Sequence, residues 1–292
     1  MKTLNVKERF TCEPEQGTMT MLYTSVRIIH FTFGSSLIAV VSAFFIFSRI
    51  WQSGVKIKLM NGSVHVIDQY PAAWLRGLSR GEEIACEIRL RIVTGAIAPG
   101  EVLSENRIAG DYGSSRSPVR DAFKLLAGEG LIRPERMGAV VLGLGLQDVE
   151  ELYDVRHLIE RFVQLRVSRF ETGALLKRLR HIVDKMELAV RHRDIAEFAW
   201  HDMSFHDAIV AEARHARMLH LWKSIRNVVM TVMLVTTEDV FARTDEAIEA
   251  VVNKHRLIIH ALESKDGSRI EEVVRGYFAD SLATLYRSIG RS

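Results

Sequence analysis

The sequence predicts a mainly α-helical chain, an N-terminal winged helix-turn-helix followed by an all-α six-helix bundle. Three observations predict it. Between Leu103 and Val141 two short helical patterns, separated at Gly113, lead into two β-rich runs. From Gln147 onward apolar residues recur at the helical period, with only short polar breaks. The composition, 48% apolar and 26% charged over 292 residues, is that of a globular chain with room for one large or two ordinary domains. The winged part reads as residues 78–145 and the bundle as 146–292.

Residues 1–59 differ in character from the rest of the chain. Phe31 to Ser48 is a charge-free run, slightly short of the ~20 apolar residues of a bilayer span. Arg27 and Arg49 flank it on both sides, so charge bias assigns no orientation. Three readings stand: translation from an upstream start with the functional chain beginning near Met60, a membrane segment, and an extra helix in a soluble protein. The two cysteines, Cys12 and Cys86, have neither disulfide-framework nor metal spacing, which suits a reducing cytosol.

Residues 60–80 form a polar lead-in. Gly81 to Thr94 is the first helix, with Ile84, Ile88 and Ile92 as its buried stripe, and Gly95 and Pro99-Gly100 end it. Glu105 to Tyr112 is a second, short helix. The third spans Ser115 to Ala127. Its apolar face is Val119, Ala122, Phe123 and Leu126; Ser115 is placed to cap it, and Pro118 falls in the first turn, where a missing N–H costs nothing. The β-rich runs Leu131–Arg133 and Ala139–Leu142 then make a wing with a tip from Pro134 to Gly138.

Arg116, Arg120 and Lys124 are spaced by four and share the face of the third helix opposite its apolar one. A helix entering a major groove needs an apolar back and long cationic donors near its N-terminus, and an arginine there reaches a guanine edge or a phosphate. The same spacing also describes a solvated basic face on an ordinary surface helix. Net charge is only +3, but six basic residues face four acidic ones between Arg107 and Arg136, so the basic character is local.

Ile88 to Val141 resembles the DNA-binding domain of the GntR family of bacterial transcription regulators. The resemblance is carried by Ile92, Gly95, Ile97, Pro99-Gly100, Leu103, Glu105, Ile108-Ala109, Gly113, Ser115-Arg116, Pro118-Val119-Arg120, Ala122, Leu126, Glu129-Gly130-Leu131-Ile132, Gly138 and Val140, with Asp121 and Phe123 as mild departures. It implies Arg107, Ser115, Arg116, Ser117, Arg120, Arg136 and Gly138 as the DNA-binding positions. It also implies a homodimer that places two recognition helices on a double-stranded, pseudo-palindromic operator in the cytoplasm.

The bundle helices are expected at about 148–170, 172–191, 195–213, 216–236, 242–264 and 268–289, and their short joints imply antiparallel packing. The Gly143-Leu144-Gly145 triplet lacks the third glycine of a dinucleotide fingerprint and lets the chain leave the wing. The opening run from Asp148 to Glu160 resembles the start of the effector domain of FadR-like GntR regulators, the FCD domain. Six helices instead of seven resemble its VanR-type subgroup.

Asp202 and His206 are i and i+4 on one helix and project from one face, a spacing that can hold a divalent ion. His255 stands where the resemblance places the next ligand, and Tyr277 occupies the position of the family's last histidine. Three ligands still hold zinc with an open position. The competing reading is a set of buried polar residues that pair with one another. His201, His220 and His260 lie near in sequence but match no family position. Arg156, one turn before Glu160, either grips an acidic effector in a bidentate fork or pairs with a glutamate. Together with Tyr277 it makes the expected effector-binding pair for a small carboxylate. No nucleophile constellation or H-E-x-x-H motif supports an enzyme. The expected function is a metabolite-responsive transcription regulator, acting as a repressor by the family's usual mode.

Overall fold

The computed structural model describes residues 8–13, 18–23, 27–32 and 70–289. The chain divides into two compact units, Met1–Val55 and Lys56–Ser292. In the first, strands β1 (Glu8–Glu13), β2 (Thr18–Tyr23) and β3 (Arg27–Thr32) form an antiparallel meander. The charge-free run begins at Phe31 and Thr32 inside β3; its remainder, to Ser48, lies outside the described residues. Among the described residues no helix is long and apolar enough to cross a membrane.

Among the described residues, the second unit begins with a 3-10 turn, Ala72–Leu75, followed by helix α1 (Arg80–Val93). Ser79 and Glu82 form a capping box at its start: the Ser79 hydroxyl accepts from the Glu82 N–H, and the Glu82 carboxylate accepts from the Ser79 N–H at 2.8 Å. Helices α2 (Glu105–Asp111) and α3 (Arg116–Gly128) meet at Gly113, whose φ of 56° lets the chain turn left-handed where a side chain would strain it. Val119, Ala122, Phe123 and Leu126 of α3 are buried, as their spacing predicts.

The wing differs in two ways from its sequence reading. It has a third strand: β4 (Val102–Ser104) pairs antiparallel with β6 (Gly138–Val141), which pairs in turn with β5 (Ile132–Glu135). Its tip is also shorter, only Arg136 and Met137, because Pro134 lies within β5. β5 is the edge strand, where proline's missing donor costs no ladder bond. A buried ion pair ties α1 to the end of α3: Arg89 donates from Nε and Nη2 to the two Glu129 carboxylate oxygens, both at 2.7 Å.

Helices α4 (Leu146–Val167), α5 (Gly173–His192), α6 (Ile195–Glu212), α7 (Ala216–Phe241), α8 (Asp245–Ser264) and α9 (Gly267–Ile289) make the bundle. The break expected at Thr237–Phe241 is absent, and α7 continues to Phe241. Val240 and Phe241 extend its apolar face into the core and hold the segment helical, while the Thr236 hydroxyl is satisfied by donating back to the Val232 carbonyl. The turn falls instead at Ala242–Thr244, and the Thr244 hydroxyl caps α8 by accepting from the Ala247 N–H.

The lead-in to the winged part rests on the bundle through aromatic contacts. Tyr70 packs edge-on against Trp74, and Trp74 meets Trp200 of α6 with ring centroids 5.6 Å apart. Trp200 lies two residues before Asp202.

Candidate functional site

Two bundle helices bring Asp202, His206 and His255 together in the core. Asp202 and His206 come from one face of α6 and His255 from the middle of α8. Both histidines are fully buried and Asp202 nearly so. One ligand atom from each lies within 4.8 Å of the others.

The hydrogen bonds around this cluster fix its chemistry. His255 Nδ1 is 2.8 Å from the Val251 carbonyl, which can only accept, so Nδ1 carries the proton. His206 Nδ1 is 2.6 Å from Glu160 Oε2 and donates to that carboxylate. Each neutral ring then presents its Nε2 lone pair inward. Both point at the same oxygen, Asp202 Oδ1, at 3.1 Å from His255 and 3.3 Å from His206. Two lone pairs facing one carboxylate oxygen repel, and either protons or a cation must lie between them. The donor set and the outer partners, Glu160 and the Val251 carbonyl, suit a divalent metal, because ligating histidines generally donate their other N–H to such groups. The residues present therefore fit a metal with three protein ligands.

Without metal, protons carry the balance. Burial alone would lower the His206 imidazole, but the Glu160 charge outweighs it and the net shift is upward. Burial would raise Asp202 and Glu160; His255 in the first case, and His206 and Arg156 in the second, outweigh it and hold both low, with Glu160 at about 2.

Tyr277 lies on α9, and its hydroxyl is 2.9 Å from His206 Nε2. Burial, reinforced by the Asp202 charge, raises this phenol well above its ordinary value, so it stays neutral. A neutral phenol is a weak ligand, and Tyr277 stands beside the cluster as a hydrogen-bond partner of His206.

Arg156 makes the glutamate pair of the second reading and also faces a cavity. Its Nε donates to Glu160 Oε1 at 2.6 Å, the buried pair. Of its other two nitrogens, Nη1 lies 3.6 Å from Met233 Sδ and Nη2 3.5 Å from the Tyr277 hydroxyl. The guanidinium carbon lies 5.4 to 5.8 Å from the ring centroids of Phe278, Tyr153 and Tyr277. A cavity opens there, lined by Tyr153, Arg156, Asp202, Thr236, Lys254 and Tyr277, with Thr237, Ser281 and Thr284 adding hydroxyls. It offers a carboxylate two guanidinium donors and a chain of hydroxyl partners.

Sequence reasoning gave Glu160 no role of its own. It joins Arg156 to His206, and the i,i+4 spacing from Arg156 was its only signal. The hydroxyl and lysine lining was also missed, because it comes from three helices. His201 instead pairs with Glu197, and His260 is exposed beside Glu263.

On the winged part, Arg107, Ser115, Arg116, Ser117, Arg120 and Arg136 are all exposed. Arg120 Nε contacts both Glu105 oxygens, at 2.9 and 3.0 Å, Arg116 reaches Asn106 at 3.3 Å and Arg107 reaches Glu101 at 3.0 Å. These surface pairs hold the side chains over the α2–α3 face and are weak enough to exchange partners. Two expectations need correction. Ser115 occupies the N-cap position of α3, but its side chain makes no capping bond. Gly138 is buried: a Cβ there would lie 2.1 Å from the Leu103 carbonyl oxygen, so this glycine lets β6 close on β4 and presents no side to a ligand.

The comparisons with known proteins agree with this architecture. Residues 80–142 match the family model of the bacterial regulatory proteins of the gntR family, and residues 151–280 match the FCD domain. The chain is 39% identical over 197 residues to the gluconate operon transcriptional repressor of Bacillus licheniformis, an alignment covering 68% of this chain and 81% of that one. The repressor of the same name from Bacillus subtilis is 37% identical over 211 residues, covering 72% and 87%. The HTH-type transcriptional repressor RspR of Escherichia coli is 30% identical, over 64% of this chain and 80% of its own. Among solved structures, E. coli McbR/YncC shares the fold with a TM-score of 0.56 at 19% identity, covering 72% of this chain and 98% of that one.

Proposed function

The chain belongs to the GntR family of bacterial transcription regulators, with an FCD domain behind its winged helix, and on that premise we propose that it is a cytoplasmic repressor whose operator affinity is set by a small polyhydroxy acid. Two copies bind a pseudo-palindromic operator, each placing α3 in a major groove, with Arg116 and Arg120 on base edges or phosphates and Arg107 and Arg136 on the backbone. The domains act as residues 78–145 for DNA and 146–292 for effector and dimer. The six bundle helices support the VanR-like subgroup.

One observation carries the effector reading. The Arg156 guanidinium, Asp202 of the three-residue cluster and a row of hydroxyls line the same cavity. When bound, a divalent metal there supplies a Lewis acid for carboxylate and hydroxyl oxygens. Arg156 holds the carboxylate, Tyr153 and the threonines bond the hydroxyl chain, and Lys254 closes the far end. The relatives named for the gluconate operon support a sugar acid over a plain fatty acid.

Effector occupancy must act differently on two states of the molecule to change DNA binding. The Trp74–Trp200 contact and the packing of α1 on α7 link the winged part to the helices that line the site. Calorimetric titration of the zinc-loaded protein tests the ligand class. Gluconate is expected to bind at least tenfold more tightly than hexanoate, which has the same carbon count without hydroxyls. Equal affinity would remove the role given to the hydroxyl lining.

A further inference from the structure

The cavity beside Arg156 has a second cation in its wall. The charged residues that line it are Arg156, Asp202 and Lys254. Lys254 comes from α8, one residue before His255, and its side chain is only 16% exposed. It faces Asp280 Oδ2 at 4.0 Å, on a side chain that is 67% exposed. An ion pair that long, with one partner in water, is weak and exchanges readily.

Arg156 and Lys254 mark different parts of this wall. At the Arg156 end stand Met233 of α7 and Tyr277 of α9, each beside one terminal guanidinium nitrogen. From there α7 carries the lining through Thr236 and Thr237 to Val240, and α9 carries it through Ser281 to Thr284. Each run advances two helical turns, roughly 10 Å. Lys254 meets α9 at Asp280, nearly one turn beyond Tyr277. The hydroxyls between have spent their protons on the backbone: Thr236 donates to the Val232 carbonyl, Ser281 to that of Tyr277 and Thr284 to that of Asp280. Their oxygens therefore accept from a ligand's hydroxyls and do not serve its acid groups. Acid groups are left to the two cations and the metal site.

The charge balance sets what such a site accepts. Glu160 lies behind Arg156 and pairs with its Nε at 2.6 Å. Arg156 and Lys254 together balance Glu160 and Asp202. With a divalent metal held by Asp202, His206 and His255, two positive charges remain, because the histidines ligate as neutral rings. Arg156, Glu160, Asp202 and both histidines are buried, where an unbalanced charge is costly. A ligand with one acid group leaves one charge over, and a ligand with two cancels both. We propose that the effector is a doubly acidic sugar acid, an open polyhydroxy chain with its carboxylate at Arg156 and a second acid group at Lys254. This rests on the effector site assigned under the proposed function. It makes Lys254 the residue that sets the number of acid groups, since without its charge the same balance suits a ligand with one.

Calorimetric titration of the zinc-loaded full chain tests this with three six-carbon probes. Gluconate has one acid group, glucarate a carboxylate at both ends, and 6-phosphogluconate a phosphate at the far end. At least one of the doubly acidic probes is expected to bind roughly tenfold more tightly than gluconate, the gain of one charge-assisted contact. The tighter of the two identifies the second group as carboxylate or phosphate. Lys254→Gln is expected to remove most of that preference, and Lys254→Arg, which keeps the charge, to retain it. Circular dichroism checks that both variants stay folded. Gluconate binding with neither doubly acidic probe tighter would overturn the second subsite alone. A preference that Lys254→Gln retains in full would overturn the role of Lys254. No binding of any of the three would overturn the effector site and the inference with it.

Discussion

At the residue scale the site turns on one oxygen. Asp202 Oδ1 faces the Nε2 atoms of two imidazoles whose Nδ1 protons are held by Glu160 and the Val251 carbonyl. His206→Ala is therefore expected to abolish tight zinc binding, and Tyr277→His to strengthen it by supplying a fourth donor; zinc titration of the chelator-treated proteins checks both. Protons compete for the same nitrogens, so zinc affinity falls as pH falls. Because the His206 value is raised in the metal-free protein, that fall begins above the ordinary imidazole range. Stability of the metal-free protein follows the same shifts. The raised His206 contributes stability that is present below its unfolded value and lost as pH rises through its folded one. The lowered Asp202 contributes stability that is present above its unfolded value and lost on acidification. Metal-free protein is thus expected to be most stable between about pH 4 and 6.5, where both contributions are present. Thermal melts across pH after chelation read this, and a maximum above pH 8 would contradict it. On the winged part, Arg116→Ala and Arg120→Ala should each cost about 1–3 kcal/mol of operator binding where the arginine reads a base. Mobility shifts on promoter DNA beside the gene measure that, and unchanged affinity in both would remove α3 as the reading helix.

At the scale of elements, the Arg89–Glu129 pair locks α1 to the end of α3. Its side chains are 1 and 8% exposed, so removing one partner leaves a buried charge. Arg89→Ala is expected to destabilise the winged part by roughly 3–5 kcal/mol, read by chemical denaturation. A loss under 1 kcal/mol would show that water reaches Glu129. The helices themselves were legible in the sequence because 3.6-residue periodicity is a local signal; Val119, Ala122, Phe123 and Leu126 are buried as that period requires. Strand β4 was not legible, since three residues carry no period and its pairing with β6 is non-local. The end of α7 was misread because Thr236 and Thr237 look like breakers, whereas Val240 and Phe241 keep the helix in the core. In the site, Asp202 and His206 showed themselves by spacing alone. His255 and Tyr277 came only with the family resemblance, and Glu160 lacked any signal beyond its distance from Arg156, because what it does depends on a histidine 46 residues away.

At the scale of the whole molecule, the lead-in to the winged helix meets the helical domain at Tyr70, Trp74 and Trp200, and Trp200 shares helix α6 with the candidate ligands Asp202 and His206. Zinc binding should therefore change tryptophan fluorescence, and Trp74→Phe should reduce that change. A chain starting at Met60 keeps every one of these contacts, so it is expected to bind operator DNA with the affinity of the full chain; a loss of tenfold or more would give the N-terminal unit a part in DNA binding. The central claim is that occupancy of the helical site governs the grip on DNA. Fluorescence anisotropy of a labelled promoter duplex, titrated with zinc-loaded protein at fixed salt with and without gluconate, tests it most directly. The account predicts at least a tenfold loss of affinity for the wild type and none for His206→Ala. An equal response in the two proteins, or none in the wild type with gluconate or any other sugar acid that calorimetry shows to be bound, would contradict it.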